Sequence, residues 1–208
     1  VMGQTLSSLG CPTGLLPPQR HIAIKAPVFS FAKITGLDIG LGPEMKSTGE
    51  VLGIDYDYAK ALYKALVGAG LNVPSGGTIL ITVADKDKPE AAVLAKGFAE
   101  LGYNIVATEG TAGYLQAAGL TAAVVGKVHE QRQDIINMIK AGQINMVINT
   151  LTHGKEPETD GFKIRRAAVE HAVPCLTALD TVREVLRVIK CMRRQSGLDV
   201  RALQDYVE

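Results

Sequence analysis

The fold class this sequence predicts is α/β: a three-layer sandwich on a five-stranded parallel sheet. Three observations predict it. From residue 78 onward, short apolar runs alternate with amphipathic segments, the order of a βαβα chain. The apolar runs are continuous rather than alternating, as in strands buried on both faces. Gly102, Gly119 and Gly142 each stand between an amphipathic segment and the next apolar run, where a helix must end with positive φ.

Taken in order, residues 1–70 do not read as a self-sufficient domain. Met2 to Leu6 starts a short helix that Gly10 and Pro12 break, and Leu16-Pro17-Pro18 is extended. His21 to Phe31 has strand character, with Pro27 placing it at an edge or a bulge. Leu37 to Glu50 reads as ordered loop. Tyr56 to Val67 reads as a helix with Tyr56, Ala59, Leu62, Tyr63 and Leu66 on its apolar face. Asn72 to Gly77 is a linker by composition, so the domain boundary falls there and the second domain spans 71–208. Within it, strands are expected at about 78–84, 103–108, 122–126, 145–150 and 174–178. Helices are expected at about 89–101, 111–118, 131–141, 162–172 and 180–194. Pro89 suits a first helical turn, and Ala91, Leu94, Ala95 and Phe98 give that helix its apolar face.

Composition narrows the function. Of 208 residues, 47% are hydrophobic and 21% charged, the balance of a globular domain. Lys and Arg number 22 against 21 Asp and Glu, so no bulk field attracts nucleic acid or an anionic membrane. No apolar run reaches the ~20 residues of a membrane span, and no secretory signal pattern opens the chain. Position 1 is Val, so the chain is expected to be cut from something longer. Cys11, Cys175 and Cys191 lie at no metal-ligand spacing, which points to buried small hydrophobes in a reduced, cytoplasmic compartment. No metal site is expected.

Parallel strands with right-handed crossovers bring their carboxyl ends to one edge, where open α/β sheets bind ligands. The polar groups there are Lys88, Thr108, Thr111, Lys127, Asn149, Thr150 and Thr152. Ammonium groups, hydroxyls and a helix N-terminus are a donor-rich set that suits phosphate. The alternative is that the threonines cap helices and the lysines are solvated. Catalysis has weaker support. His129-Glu130 and His153 are acid–base candidates, but there is no nucleophile elbow, H-E-x-x-H or P-loop. Lys163, Arg165 and Arg166 read as a solvated basic face, one member of which could reach an anion. Lys155 to Gly161 is a polar loop and a candidate lid.

The run Phe29-Ser-Phe-Ala-Lys-Ile-Thr-Gly-Leu-Asp-Ile-Gly, continuing Leu41-Gly-Pro-Glu-Met-Lys-Ser-Thr-Gly-Glu-Val51, resembles a signature of the large chain of glutamine-hydrolysing carbamoyl phosphate synthetase. In that family the run ends the second ATP-grasp synthetase unit and precedes a methylglyoxal synthase-like regulatory domain. Ala107 to Ala112, Lys127 to Glu130, Ile148-Asn149-Thr150 and Ile164-Arg165-Arg166 are similar to that domain's pattern, so the resemblance spans essentially the whole chain. It implies that residues 1–70 are the remnant of an ATP-grasp unit and that residues 71–208 are an allosteric domain. The fragment itself is then non-catalytic, with no cofactor of its own. The parent enzyme, a ligase, uses ATP and Mg (or Mn) to make carbamoyl phosphate from bicarbonate and glutamine for pyrimidine and arginine synthesis. The implied partners are UMP or IMP, the upstream synthetase units, the small glutaminase subunit, and further copies through this domain. The resemblance places the effector at Lys88, Thr108, Thr111, Lys127, Asn149 and Thr152. It places Thr177 on the ornithine side, where the pattern also has a glutamate at the position of Ala26. Two alternatives stay open. One is a phosphate-eliminating lyase of the methylglyoxal synthase type, whose Gly-Gly-Asp loop is replaced here by Val128-His129-Glu130. The other is an oligomerisation domain without an effector.

Overall fold

The computed structural model describes residues 3–15, 17–31, 39–126, 135–151, 160–194 and 197–206. The centre of the fold is a strand whose middle residues have no contact with water. Ile79, Leu80 and Ile81 are fully buried, so both faces of β3 (Thr78–Thr82) must be covered. Its neighbours are β4 (Asn104–Thr108) on one side and β6 (Met146–Asn149) on the other. β5 (Ala123–Val125) and β7 (Cys175–Leu176) complete the sheet, whose order is β5-β4-β3-β6-β7 with every pair parallel. The five-stranded parallel sheet expected from the sequence is therefore present.

Alternate strand residues build two cores. Ile79, Ile81, Ile105, Ala107 and Ile148 face α2 (Lys88–Ala99), α3 (Glu109–Ala117) and α6 (Leu179–Arg194). Leu80, Val106 and Val147 face α4 (Ile135–Lys140) and α5 (Asp160–Glu170). Crossovers on one side of β3 thus run over one face, and those on the other side run over the opposite face. That makes a switch point at the carboxyl ends of β3 and β6, where such sheets form a crevice. Gly102, Gly119 and Gly142 end their helices at φ of 78°, 80° and 68°. The end of α5 carries no such signal, because its left-handed position is taken by Ala172 at φ 53°. The expected boundary at 172 is accordingly two residues too long.

Residues before β3 form a smaller unit. β1 (Ile22–Val28) pairs antiparallel with β2 (Gly49–Asp55), and α1 (Tyr58–Gly68) lies against both. Pro27 is tolerated because this sheet has two strands and each has an open edge. β2 carries no local signal: Gly49, Glu50, Gly53 and Asp55 interrupt its apolar pattern, and long-range pairing with β1 holds it. Of the short helix expected to start in Met2 to Leu6 and break at Gly10, the described residues form a single 3-10 turn at Ser7–Leu9. Asp57 caps α1, accepting a hydrogen bond from Lys60 N at 3.0 Å. The fully buried residues of α1 are Ala59, Ala61 and Ala65; Ala59 is as expected and Leu66 packs half-buried on the main core, but Leu62 and Tyr63 are only half-buried and Tyr56 lies exposed before the helix. Gly53 explains the difference. A Cβ there would lie 2.2 Å from the Ala61 carbonyl oxygen, so strand and helix backbones are in contact and only alanine fits between them.

α1 also packs on α6, and α6 on α2, so the smaller unit is continuous with one face of the main sheet. The segment 72–77 is pinned at several points. Tyr103 donates to the Pro74 carbonyl, Arg193 Nη2 donates to Ser75 O at 2.6 Å, and the Asn145 carboxamide accepts from Thr78 N at 2.8 Å. Cys11 is exposed and Cys175 and Cys191 are half-buried, so the expectation of three buried cysteines fails. Among the described residues no helix is long and apolar enough to cross a membrane, and no group of His, Cys, Asp or Glu is arranged to hold a metal.

Candidate functional site

The carboxyl edge of the sheet is where polar residues must begin, because the strands lose their helix cover there. β3 ends at Thr82, β4 at Thr108 and β6 at Asn149. Register aligns Thr82 with Asn149 across the β3–β6 pair. Hydrogen bonds then knit the three strand ends together. Thr108 Oγ1 donates to Thr82 Oγ1 at 3.4 Å, and Asn149 Nδ2 donates to the Thr82 carbonyl at 3.4 Å. Ala84 N donates to Thr150 Oγ1 at 2.9 Å, which ties the turn after β3 to the end of β6.

Thr108 is the residue before α3, with extended backbone at φ −65° and ψ 151°, and its side chain makes no capping hydrogen bond to that helix. Thr108 thus stands at the cap position of α3 without a capping hydrogen bond from its side chain. The first-turn N–H groups of α3 are the donors that a helix cannot satisfy internally. Lys88 reaches the same turn: a Cβ placed on Gly110 would sit 3.6 Å from Lys88 Nζ. Thr111 is in the same turn and is buried. The Lys88 ammonium therefore lies beside the first turn of α3, at the sheet edge that also carries Thr82, Thr108 and Asn149. A cation beside a helix N-terminus favours an anion.

Lys88 is already paired, with Asp85 Oδ1 at 2.7 Å. The lysine side chain is 17% exposed and the aspartate 93%, so the carboxylate reaches in from solvent toward a sheltered cation. Hydrogen bonding and charge from Lys88 hold the Asp85 carboxyl below its usual range. The pair forms because residues 85–87 make a 3-10 turn running directly into α2, which brings positions 85 and 88 to the same side. Helix α2 accordingly begins at Lys88, with Pro89 in its first turn.

The structure brings Lys88, Thr108, Thr111, Asn149 and Thr150 to this edge. Lys127 and Thr152 lie outside the described residues, as do His129, Glu130 and His153. The expected lid at 155–161 also lies outside them up to residue 159, while Asp160 and Gly161 belong to the first turn of α5. Thr177 is placed elsewhere. It lines a cavity of about 380 Å³ together with Phe29, Phe31, Ile39, Cys175 and Thr181, and none of the strand-edge residues above lines that cavity. The expectation of a solvated basic face on α5 is overturned: Arg165 and Arg166 are buried. Arg166 bonds Glu170 at 2.7 Å and donates to the Phe31 carbonyl at 3.2 Å, fastening the segment after β1 to α5. Arg165 Nη1 donates to Asn149 Oδ1 at 2.7 Å, at the site itself.

Sequence reasoning does not single out Thr82, because the apolar run predicts a strand to about 84 while β3 ends at Thr82. It names Arg165 only within a basic trio of which one member could reach an anion, and not as a buried residue. The available signal was its position beside Ile164 and three residues before Ala168, on the margin of the stripe that α5 buries.

Comparison with known proteins gives one family-model match, over less than half of the chain. Residues 90–177 match the family model of the MGS-like domain. The matched stretch runs from the first turn of α2 to the residue after β7, and so includes β4 to β7. Among solved structures the chain is similar to methylglyoxal synthase from Elizabethkingia anophelis NUHP1, with 21% identity over 54% of this chain and 78% of that one, at a TM-score of 0.45. It is also similar to ForH, with 24% identity over 56% of this chain and 80% of that one, at a TM-score of 0.40.

Proposed function

We propose that residues 71–208 form a regulatory domain that binds a nucleoside monophosphate through its phosphate, and that the chain is a C-terminal part of a glutamine-hydrolysing carbamoyl phosphate synthetase large chain. The observation that carries the reading is the Lys88 ammonium held against the first turn of α3, beside the Thr82–Thr108–Asn149 strand ends. UMP as inhibitor, with IMP as a second effector, fits the resemblance at Phe29 to Val51 and at Ala107 to Ala112. The binding set is Lys88, Thr108, Thr111, Asn149 and Thr150, with Lys127 and Thr152 completing it. In this reading the fragment has no chemistry of its own. ATP, Mg (or Mn) and the reacting groups belong to the upstream synthetase units, and the glutaminase subunit supplies ammonia.

Regulation is then a linkage between sites. A nucleotide alters the distant synthetase only by binding one global state better than another. Contacts from α2 to α6 and from α6 to α1 supply a continuous packed path from Lys88 to the smaller unit. A thermal-shift panel of UMP, IMP, dihydroxyacetone phosphate and inorganic phosphate on the 208-residue chain tests the assignment. At 100 times its Kd a ligand stabilises by about 2.7 kcal/mol, so UMP or IMP raises the melting temperature by several degrees. A panel in which no nucleoside monophosphate moves the midpoint refutes the reading. Methylglyoxal release from dihydroxyacetone phosphate replaces it with a lyase.

A further inference from the structure

We infer that Arg165 is the residue that sets the chemical sense of this site, by locking the Asn149 carboxamide with its N–H groups toward the ligand; the inference rests on the phosphate-binding reading above.

A carboxamide has an acceptor end and a donor end, and on a strand terminus it can present either. At Asn149 the choice is forced from two sides. Guanidinium has donors only, so the Asn149 atom 2.7 Å from Arg165 Nη1 must be the oxygen. The Thr82 backbone carbonyl is an acceptor only, so the atom 3.4 Å from it must be the nitrogen. Both residues are buried, Asn149 at 3% exposure and Arg165 at 6%, so water does not compete for either end. Gly161, in the first turn of α5, closes over the pair. A Cβ there would lie 3.2 Å from Arg165 Nη1 and 3.6 Å from both Asn149 amide heteroatoms. Nothing larger than glycine fits without pressing on the lock.

The lock fixes Asn149 as a donor at the edge that also carries Lys88. The Asn149 NH2 group carries two hydrogens, and the Thr82 carbonyl takes one. With the amide reversed, its oxygen would face the Thr82 carbonyl and any incoming phosphate oxygen, and both contacts would be repulsive. Arg165 is therefore a positioning residue, acting on the ligand through Asn149. It also biases the site against ligands that need an acceptor there.

The test has two arms on the 208-residue chain. Without ligand, amide-detected NMR follows the Asn149 side-chain NH2 group. In the wild type its two protons are distinct and exchange slowly with water. In Arg165→Gln they move toward the shifts and exchange rates of a solvent-exposed Asn. In the second arm, UMP affinity is measured by calorimetry for Arg165→Gln, Asn149→Ala and the double variant. Arg165→Gln weakens binding about tenfold, and adding it to Asn149→Ala causes no further loss, because its effect passes through that amide. Gly161→Ala is the second variant should Arg165→Gln fail to fold; it leaves every polar group in place and loosens the same amide. An Asn149 signal unchanged in both variants, or affinity losses that multiply in the double variant, overturns the inference. If wild-type chain does not bind UMP, the nucleotide assignment fails while the NMR arm still decides the lock.

Discussion

Replacing Gly110 by alanine should strengthen the fold and weaken the site at once. Gly110 is exposed in the first turn of α3 and has helical backbone, so a methyl group there strains nothing. Glycine costs a helix about 0.5–1 kcal/mol relative to alanine, so the variant gains up to that amount. For a chain of this size the gain appears as a rise of about 1–3 °C in the melting temperature. The same methyl carbon sits 3.6 Å from Lys88 Nζ. In the proposed site a phosphate oxygen bonded to the ammonium lies about 2.7–2.9 Å from its nitrogen, so the methyl crowds that oxygen. Losing one charge-assisted hydrogen bond costs about 1.5–3 kcal/mol, or roughly 10- to 100-fold in Kd. Thermal melting of the free variant and calorimetry with UMP measure the two effects separately. A variant at least as stable as wild type that binds UMP with unchanged affinity refutes the placement of the phosphate.

Three further outcomes are expected. Asp85→Asn removes a carboxylate that competes with the ligand for Lys88; because Asp85 is exposed, the gain in UMP affinity is modest, below about fivefold, and a loss of affinity in calorimetry contradicts it. Asp55 is half of a sheltered pair with Lys64 Nζ at 2.8 Å; burial raises its pKa, but hydrogen bonds from Lys64 and from the Asp57 N–H outweigh burial and hold it below the ordinary value. A depressed carboxyl contributes stability above its unfolded value near 3.9, and that stability is lost as pH falls through the folded value. Asp55→Asn should therefore destabilise by about 2 kcal/mol at pH 7 and flatten the acid limb below pH 4 in denaturant titrations. Gly53→Ala drives a methyl into the α1 backbone, 2.2 Å from the Ala61 carbonyl oxygen and 2.5 Å from Ala65 N, and should cost about 3 kcal/mol or more by urea melting.

The sequence was most legible where local signals repeat. Continuous apolar runs and three closing glycines located the parallel sheet and the edge that carries Lys88, Thr108 and Asn149. It was least legible where long-range contacts decide. β2 exists because β1 pairs with it and α1 packs on it, and neither partner lies inside its seven residues. The buried state of Arg165 depends on Asn149, sixteen residues earlier in the chain. Charge spacing on a helix cannot tell a solvated arginine from one tucked under a strand end. The paired state of Lys88 is equally invisible, because it needs the 3-10 turn at 85–87, whose charged residues read as loop.

The most direct test is a crystal structure of the 208-residue chain with UMP bound. The account predicts the phosphate over the first turn of α3, bonded to Lys88 and to backbone N–H groups there, with the Asp85 carboxylate displaced from the lysine. A phosphate bound elsewhere, with the Lys88–Asp85 pair intact, contradicts it.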